Sequence, residues 1–339
     1  MRVIALGVNG AFSTGQYQKA IPTDKLRTLL ADAKGKNPDV LLHQLDKLEE
    51  AVYQPAWQSN FLLEFDMPNK RGKKGEPYRL LVDCGCDARH ALAGTGLSFA
   101  DLDGVYISHP HSDHIGGLEG FALTTIFNPF YTAKKKEWLG DKFIIDRLIP
   151  YDESPFPPSF AKPDLFVHPK VLVELRTALQ PGLDTMQGVP FVKLETYFNI
   201  VPIGRNAEGV RVTYEFHDRE RTWKMTPVFA MHVVSASEEM PSYGISLEDS
   251  DGKFVLFPTD TQHMMPPQLA ALYRRAEVIY MDCETSPFPS GVHPHVSDLI
   301  ERMEPEIQKK CFLYHYQGEP KVPDGMFKGV LKTGDVHEY

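Results

Sequence analysis

Short apolar runs recur along the 339-residue chain, most of them bounded by glycine, proline or charged residues. Arg2–Val8, Asn60–Phe65, Tyr78–Asp83 and Gly104–Ser108 read as strands, and the charged loop NKRGKKGEP between the second and third marks a hairpin tip. Val40, Leu41, Leu45 and Leu48 recur at helical spacing, which predicts a polar, helical region from about Thr23 to Tyr53 ending in LDKLEEAVY. A short helix is expected over about Ala88 to Ala93.

The middle of the chain is less regular. Pro150, Pro155 and Pro163, with Phe156-Pro-Pro, predict a long irregular loop. Asp164–His168 then reads as a strand, Lys170–Leu179 as a helix stopped by Pro181-Gly182, and Tyr197–Ile203 as a strand. Five further strands follow, at Thr226–His232, Tyr243–Glu248, Lys253–Pro258, Val278–Asp282 and Cys311–Tyr314. Helices are expected at about Pro267–Arg275 and Val296–Met303. Strand runs interleaved with helices in both halves predict an α/β fold of four layers, two mixed sheets covered by helices. The chain is expected to form a single domain over 1–339.

Composition narrows the picture. Hydrophobic residues make up 42% and charged residues 24%, the balance of a soluble globular protein. No apolar run approaches the ~20 residues needed to span a bilayer. The opening MRVIALGVNGAFSTG lacks the apolar core and cleavage site of a secretory signal. Cys84, Cys86, Cys283 and Cys311 are too few for a disulfide framework, so buried thiols and a cytoplasmic location are expected. The net charge of -9 argues against an extended nucleic-acid surface, which needs a basic footprint. Basic runs such as Lys70, Arg71, Lys73 and Lys74, or Lys134 to Lys136, read as solvated faces.

One stretch carries chemistry. HPHSDH places His109, His111, Asp113 and His114 at the end of an apolar strand and ahead of Gly116-Gly117. Such density fits a metal site, a pH-sensitive loop or a satisfied polar turn, and its position at a strand end favours metal. His109 and His111, two apart, can point the same way from an extended turn. Asp113 and His114 follow where the chain bends, and the glycines permit tight backbone there. Two pairs of ligands on one loop suit two adjacent metals.

HPHSDH resembles the HxHxDH signature of the metallo-β-lactamase superfamily, and Leu81-Val-Asp-Cys-Gly85 resembles its "DCG" strand end. Ala230-Met-His232, Pro241-Ser-Tyr-Gly-Ile-Ser246, Phe257-Pro-Thr-Asp260, Val292-His-Pro-His-Val-Ser297 and Leu313-Tyr-His315 resemble, in order, motifs of the RNase Z-like branch. The match is weakest at about 15–57 and 127–223, where insertions are expected. The resemblance implies a four-layer αββα sandwich and two divalent metal ions, zinc first and manganese or iron as alternatives. His109, His111 and His232 would hold one ion, Asp113, His114 and His315 the other, and Asp260 would bridge. It also implies that His293 assists the leaving group with an acidic partner, Glu284 or Asp282, while Asp113 orients the nucleophile. His295 either shares the role of His293 or caps a helix. His168 is assigned a structural or pocket-lining role, and His217 the surface; His43 and His90 carry no argument.

A phosphodiester suits two clamping cations, since its charge is spread over oxygens. Members of this branch that process tRNA carry a long arm between the strands holding Ser246 and Phe254. Here only the acidic turn Glu248-Asp-Ser-Asp-Gly-Lys253 intervenes. The arm-less members include phosphodiesterases of small cyclic nucleotides, the anti-Pycsar enzymes among them, so a small nucleotide substrate is expected and extended nucleic acid is not. Phe130, Tyr131, Phe156, Phe160, Tyr197 and Phe198 are candidates for stacking on a base. An endoribonuclease on RNA 3′ ends, a lactonase or other ester hydrolase, and a non-catalytic metal-binding module are the competing readings. A homodimer is expected because relatives commonly pair.

Overall fold

The strands form two seven-stranded mixed sheets in a computed structural model that describes residues 1–13, 15–20, 27, 28, 31, 50–71, 73–127, 162–185, 192–205, 209–219, 221–262 and 269–339. The chain opens with β1 (Arg2–Gly7). β2 (Gln16–Ala20) and β3 (Glu50–Gln54) then pair antiparallel within a separate compact unit, Phe12–Ala56. β4 (Asn60–Phe65) and β5 (Tyr78–Val82) form the predicted hairpin, followed by α1 (Ala88–Gly94) and β6 (Gly104–Ile107). α2 (Ser112–Ile115) and α3 (Leu118–Phe127) follow, and then β7 (Asp164–Val167), α4 (Pro169–Leu183), α5 (Leu194–Tyr197) and β8 (Asn199–Pro202). A minor ladder joins β9 (Gly204–Arg205) to β10 (Arg211–Val212).

The second large sheet begins with β11 (Tyr214–His217), β12 (Thr222–Ala230), β13 (Ser242–Asp249) and β14 (Phe254–Phe257). It continues through α6 (Ala270–Arg275), β15 (Val278–Asp282), α7 (Val296–Arg302), α8 (Pro305–Gln308), β16 (Cys311–Tyr314) and β17 (Gly329–Val330). The last strand, β18 (Val336–Glu338), returns to the first sheet beside β1. The orders are β18-β1-β4-β5-β6-β7-β8 and β11-β12-β13-β14-β15-β16-β17. Each sheet is antiparallel at its start and parallel from β5 to β8 or from β14 to β17.

Strand alternation explains the layers. Val3, Phe61, Leu63, Phe65, Tyr106 and Phe166 point into the space between the sheets, where Phe216, Trp223, Ile245, Phe257 and Tyr280 meet them. The intervening residues Leu62, Val105, Ile107, Leu165 and Val167 face α1, α3, α4 and α5. Leu256, Ile279, Met281 and Leu313 likewise face α6, α7 and α8. The central strands β4, β6, β7, β14 and β15 are buried on both faces, so they read as mostly apolar runs. The result is a four-layer αββα sandwich.

The elements differ from expectation in a few places. The helical run expected to reach Tyr53 ends in strand, because Glu50–Gln54 pair with Ala20–Gln16, and long-range pairing overrides a weak local period. Most of Thr23–Glu49 lies outside the described residues. Pro181 does not stop α4, which runs on to Leu183; that side chain is buried, and Tyr197 Oη donates to its carbonyl. Tyr197 closes the helical turn α5 rather than opening a strand.

Candidate active site

The parallel strands of both sheets end on one edge of the sandwich, where such sheets present functional groups. β6 runs directly into Ser108, His109 and His111, and α2 carries Asp113 and His114. His232 follows β12, Asp260 follows β14, Asp282 ends β15 and His315 follows β16. The glycines after the histidine loop allow it to lie flat on the turn after β5. A Cβ on Gly117 would sit 2.4 Å from the Gly85 carbonyl oxygen, and one on Gly116 2.2 Å from Cys86 Sγ. Among the described residues, the non-glycine residues with positive φ are Asp83 (61°), Thr259 (62°) and His315 (66°), each just past a strand at this edge. Backbone strain of this kind concentrates where a fold over-determines a functional geometry.

Hydrogen bonds at Nδ1 fix four of the imidazoles. His114 Nδ1 donates to Asp83 Oδ2 at 2.8 Å, and His232 Nδ1 to the Val292 carbonyl at 3.0 Å. Ser108 Oγ donates to Asp83 Oδ2 and so accepts from His109 Nδ1 at 3.0 Å. Ser59 Oγ donates to the Asn9 carbonyl and accepts from His315 Nδ1 at 3.0 Å. Each ring therefore turns an Nε2 lone pair inward, the arrangement by which outer partners orient metal ligands.

Those inward atoms converge. His111 Nδ1 lies 3.1 Å from His109 Nε2 and 3.2 Å from His232 Nε2. Asp260 Oδ2 lies 3.2 Å from His114 Nε2, 3.5 Å from His315 Nε2, and 3.7 Å from both His109 Nε2 and His232 Nε2. Asp113 Oδ2 is 3.4 Å from His114 Nε2 and 3.9 Å from His315 Nε2. Two overlapping groups result, His109-His111-His232-Asp260 and Asp113-His114-Asp260-His315, with the ligand atoms of each within 4.8 Å of one another. The buried Asp260 Oδ1 has no hydrogen-bond partner, and lone pairs facing each other at these distances are satisfied by a shared cation. The donor set fits two divalent ions.

The electrostatics divide the site. Burial first, and then the neighbouring imidazoles, hold His109 well below the ordinary histidine value, and burial lowers His111 and His232 too. All three shifts favour the neutral imidazole, the form that can donate a lone pair to a metal. Burial raises Asp260, but His315 and His114 outweigh it and hold the carboxyl well below its usual range. Asp113 is opposed by burial and brought down to about 2 mainly by His114. Burial likewise opposes charge on His114, yet Asp260, Asp83 and Asp113 raise it well above the usual value. A carboxylate-rich half that attracts a proton would attract a cation in its place.

His293 stands at the rim, its ring centroid 4.9 Å from that of His232 and 4.8 Å from that of His315. Its acidic partner is Asp282, whose Oδ2 accepts from Nδ1 at 2.8 Å. Glu284 is not that partner: Ser286 and Ser290 occupy its carboxylate, Ser290 N donating at 2.8 Å. Asp282 and His293 also form a third group with Asp260 and His315, but Asp282 Oδ2 is engaged by His293 and by Thr261 N. Burial opposes protonation of His293, but Asp282 overcomes it and raises the ring to about 10. His295 caps α7, its Nδ1 accepting from Ser297 N. His168 caps α4 and stacks on Tyr243, and His217 is exposed. Tyr197 and Phe198 are fully buried core, whereas Phe130, Tyr131, Phe156, Phe160 and His43 lie outside the described residues. Asp83 had no assigned role in the sequence, although its place in the "DCG" strand end was the available signal.

Comparison with known proteins places this geometry in context. The family model described as "Anti-Pycsar protein Apyc1" matches residues 49–148 and 152–334. The anti-Pycsar protein Apyc1 of Bacillus phage 010DV004 is 29% identical over 242 residues, covering 70% of this chain and 78% of the relative. That of Paenibacillus harenae is 30% identical over 242 residues, with the same coverage of 70% and 78%. Among solved structures, a diphosphatase from the PhnP family superposes with a TM-score of 0.57 at 15% identity, covering 100% of this chain and 97% of that one. The metallo-β-lactamase fold protein YhfI from Bacillus subtilis gives 0.51 at 15% identity, covering 99% and 98%.

Proposed function

Since the chain belongs to the anti-Pycsar Apyc1 family and is a metal-dependent phosphodiesterase of the metallo-β-lactamase fold, we propose that its substrate is a small cyclic nucleotide. The observation that carries the site assignment is the position of Asp260 Oδ2, within 3.7 Å of imidazole nitrogens from both groups, as a bridging carboxylate requires. On this reading His109, His111 and His232 would hold one ion and Asp113, His114 and His315 the other, with Asp260 available to both. When bound, such ions, zinc given the imidazole-rich donor set, would supply an activated water and neutralise non-bridging phosphate oxygens.

The chain's own residues do the rest. Asp83 and Ser108 lock the His114 and His109 rings, so the ligand geometry is set before substrate arrives. Asp113 orients the attacking water and takes its proton. His293 is anchored through Nδ1 to Asp282 and so presents Nε2; held protonated, it passes that proton to the leaving alkoxide.

The substrate class draws support from the hairpin between β13 and β14. It is a tight turn closed by Lys253 N on Asp249 Oδ1, and it lies at the far end of the sheet from Ser242 and Asp260. No arm reaches from it toward the site. A cytoplasmic location and a homodimer complete the proposal; among the described residues, no helix is long and apolar enough to cross a membrane. The test is a substrate panel with added Zn²⁺ or Mn²⁺: an aryl phosphodiester, 3′,5′- and 2′,3′-cyclic nucleotides, precursor tRNA and a lactone. Cleavage of the aryl diester and of a cyclic nucleotide is expected. Turnover of precursor tRNA or lactone alone would replace the proposal.

A further inference from the structure

Beside the metal-ligand loop, the protein has a cleft of about 310 Å³ whose walls come from two layers of the fold. Lys170 and Glu174 project from the first turns of α4, and Phe229 and Tyr243 are cross-strand partners on β12 and β13. Glu239 and Pro241 close it from the segment that follows His232.

The cleft is tied to the catalytic edge by short connections. Tyr243 N donates to the Ser108 carbonyl at 3.0 Å, one residue before His109. Tyr106 Oη donates to the Tyr243 carbonyl at 2.6 Å. Phe229 lies three residues before His232 in the chain, roughly 10 Å at the rise of a strand. A molecule with its phosphate among the metal ligands and a flat ring about one nucleoside away would reach this cleft.

Its chemistry suits such a ring. The His168 imidazole stacks on Tyr243 with centroids 3.6 Å apart and planes 12° from parallel, and Phe229 meets Tyr243 edge-on at 5.8 Å. His168 is itself held, its Nδ1 accepting from Lys170 N. The aromatic wall is therefore fixed in advance, which lowers the cost of ordering it around a ligand. Burial, and after it the Glu239 carboxylate, push the Tyr243 phenol up, so it stays a hydrogen-bond donor. The rim then offers two carboxylates that accept from ring N–H or amino groups, and one ammonium that donates to a ring carbonyl. A planar heterocycle with both kinds of edge group answers all three. We propose that this cleft is the nucleobase subsite, with Lys170, Glu239 and Tyr243 as the residues that decide affinity for the base.

The proposal rests on the cyclic-nucleotide reading, and the experiment separates the two. The kcat/KM for a 3′,5′-cyclic nucleotide and for bis(p-nitrophenyl) phosphate, which carries no base, is measured with the metal-loaded enzyme and its Lys170→Met, Glu239→Gln and Lys170→Arg forms. Loss of one charge-assisted contact to the base should lower the nucleotide-to-aryl ratio by about tenfold or more in the Met and Gln forms. The fall should lie mainly in KM, and Lys170→Arg should recover most of the ratio. Wild type active on both substrates with a ratio that no variant moves would overturn the subsite alone. Wild type active on the aryl diester and on no cyclic nucleotide would overturn both readings.

Discussion

Asp260 is buried, one of its carboxylate oxygens faces four imidazole nitrogens, and the other has no partner. A carboxylate so placed is costly without cations beside it. Asp260→Ala should therefore lose bound metal and turnover together while the far-UV circular dichroism is retained; metal content unchanged by the substitution would contradict its bridging role. His293 makes a different demand. His293→Ala should keep its metal but lose about 10²–10⁴ in kcat with a poor alkoxide leaving group, and far less with p-nitrophenolate, which departs without a proton. Equal losses on both substrates would remove His293 from proton transfer. At this scale HPHSDH was readable because four donors lie within six residues and their shared strand end fixes their direction. The partner of His293 was not readable between Asp282 and Glu284. Spacing cannot show that Ser286 and Ser290 already occupy the Glu284 carboxylate.

Elements buried on both faces left the clearest trace. β4, β6, β7, β14, β15 and β16 are short and mostly apolar, with Asn60, Glu64, Asp164 and Asp282 the charged or amide exceptions, and each was legible as a strand. β17 and β18 were not, because two or three half-exposed residues have no period to read. Gly244 shows what the sequence hides at this scale. It lies in β13 opposite Val228, and a Cβ there would come 2.1 Å from the Phe257 carbonyl oxygen and 2.5 Å from Pro258. The backbone that must yield leads directly to Thr259 and Asp260. Gly244→Ala should cost roughly 1–3 kcal/mol in urea unfolding, the range for forced overpacking, and should weaken metal binding as well. A variant as stable and as metal-competent as wild type would mean that the strand ends tolerate displacement.

At the scale of the whole molecule, charge bears on the proposed substrate more than the candidate site does. The net charge is -9, and the short turn between β13 and β14 exposes Asp251 where the tRNA-processing members that the sequence resembles would extend an arm. Phosphate polymers gain affinity from counterion release on basic surfaces. Precursor tRNA should accordingly show no saturable binding at ~150 mM salt, and turnover of a small nucleotide should depend only weakly on salt between ~50 and ~200 mM. Saturable tRNA binding with a steep salt slope would restore the polynucleotide reading. The candidate ligands were visible in the sequence as polar residues at successive strand ends. The cleft of Lys170, Phe229, Glu239 and Tyr243 was not, since it draws on α4, β12, β13 and a connecting segment that only folding brings together.

The most direct test removes and restores the metal. Protein stripped by chelation is titrated with Zn²⁺ while hydrolysis of a 3′,5′-cyclic nucleotide is followed by chromatography. Turnover absent in the stripped protein, rising to a plateau as about two equivalents bind, is the predicted result for a site with this donor set. Hydrolysis that persists in metal-free protein, or a fully loaded protein that leaves the cyclic nucleotide intact, would contradict it.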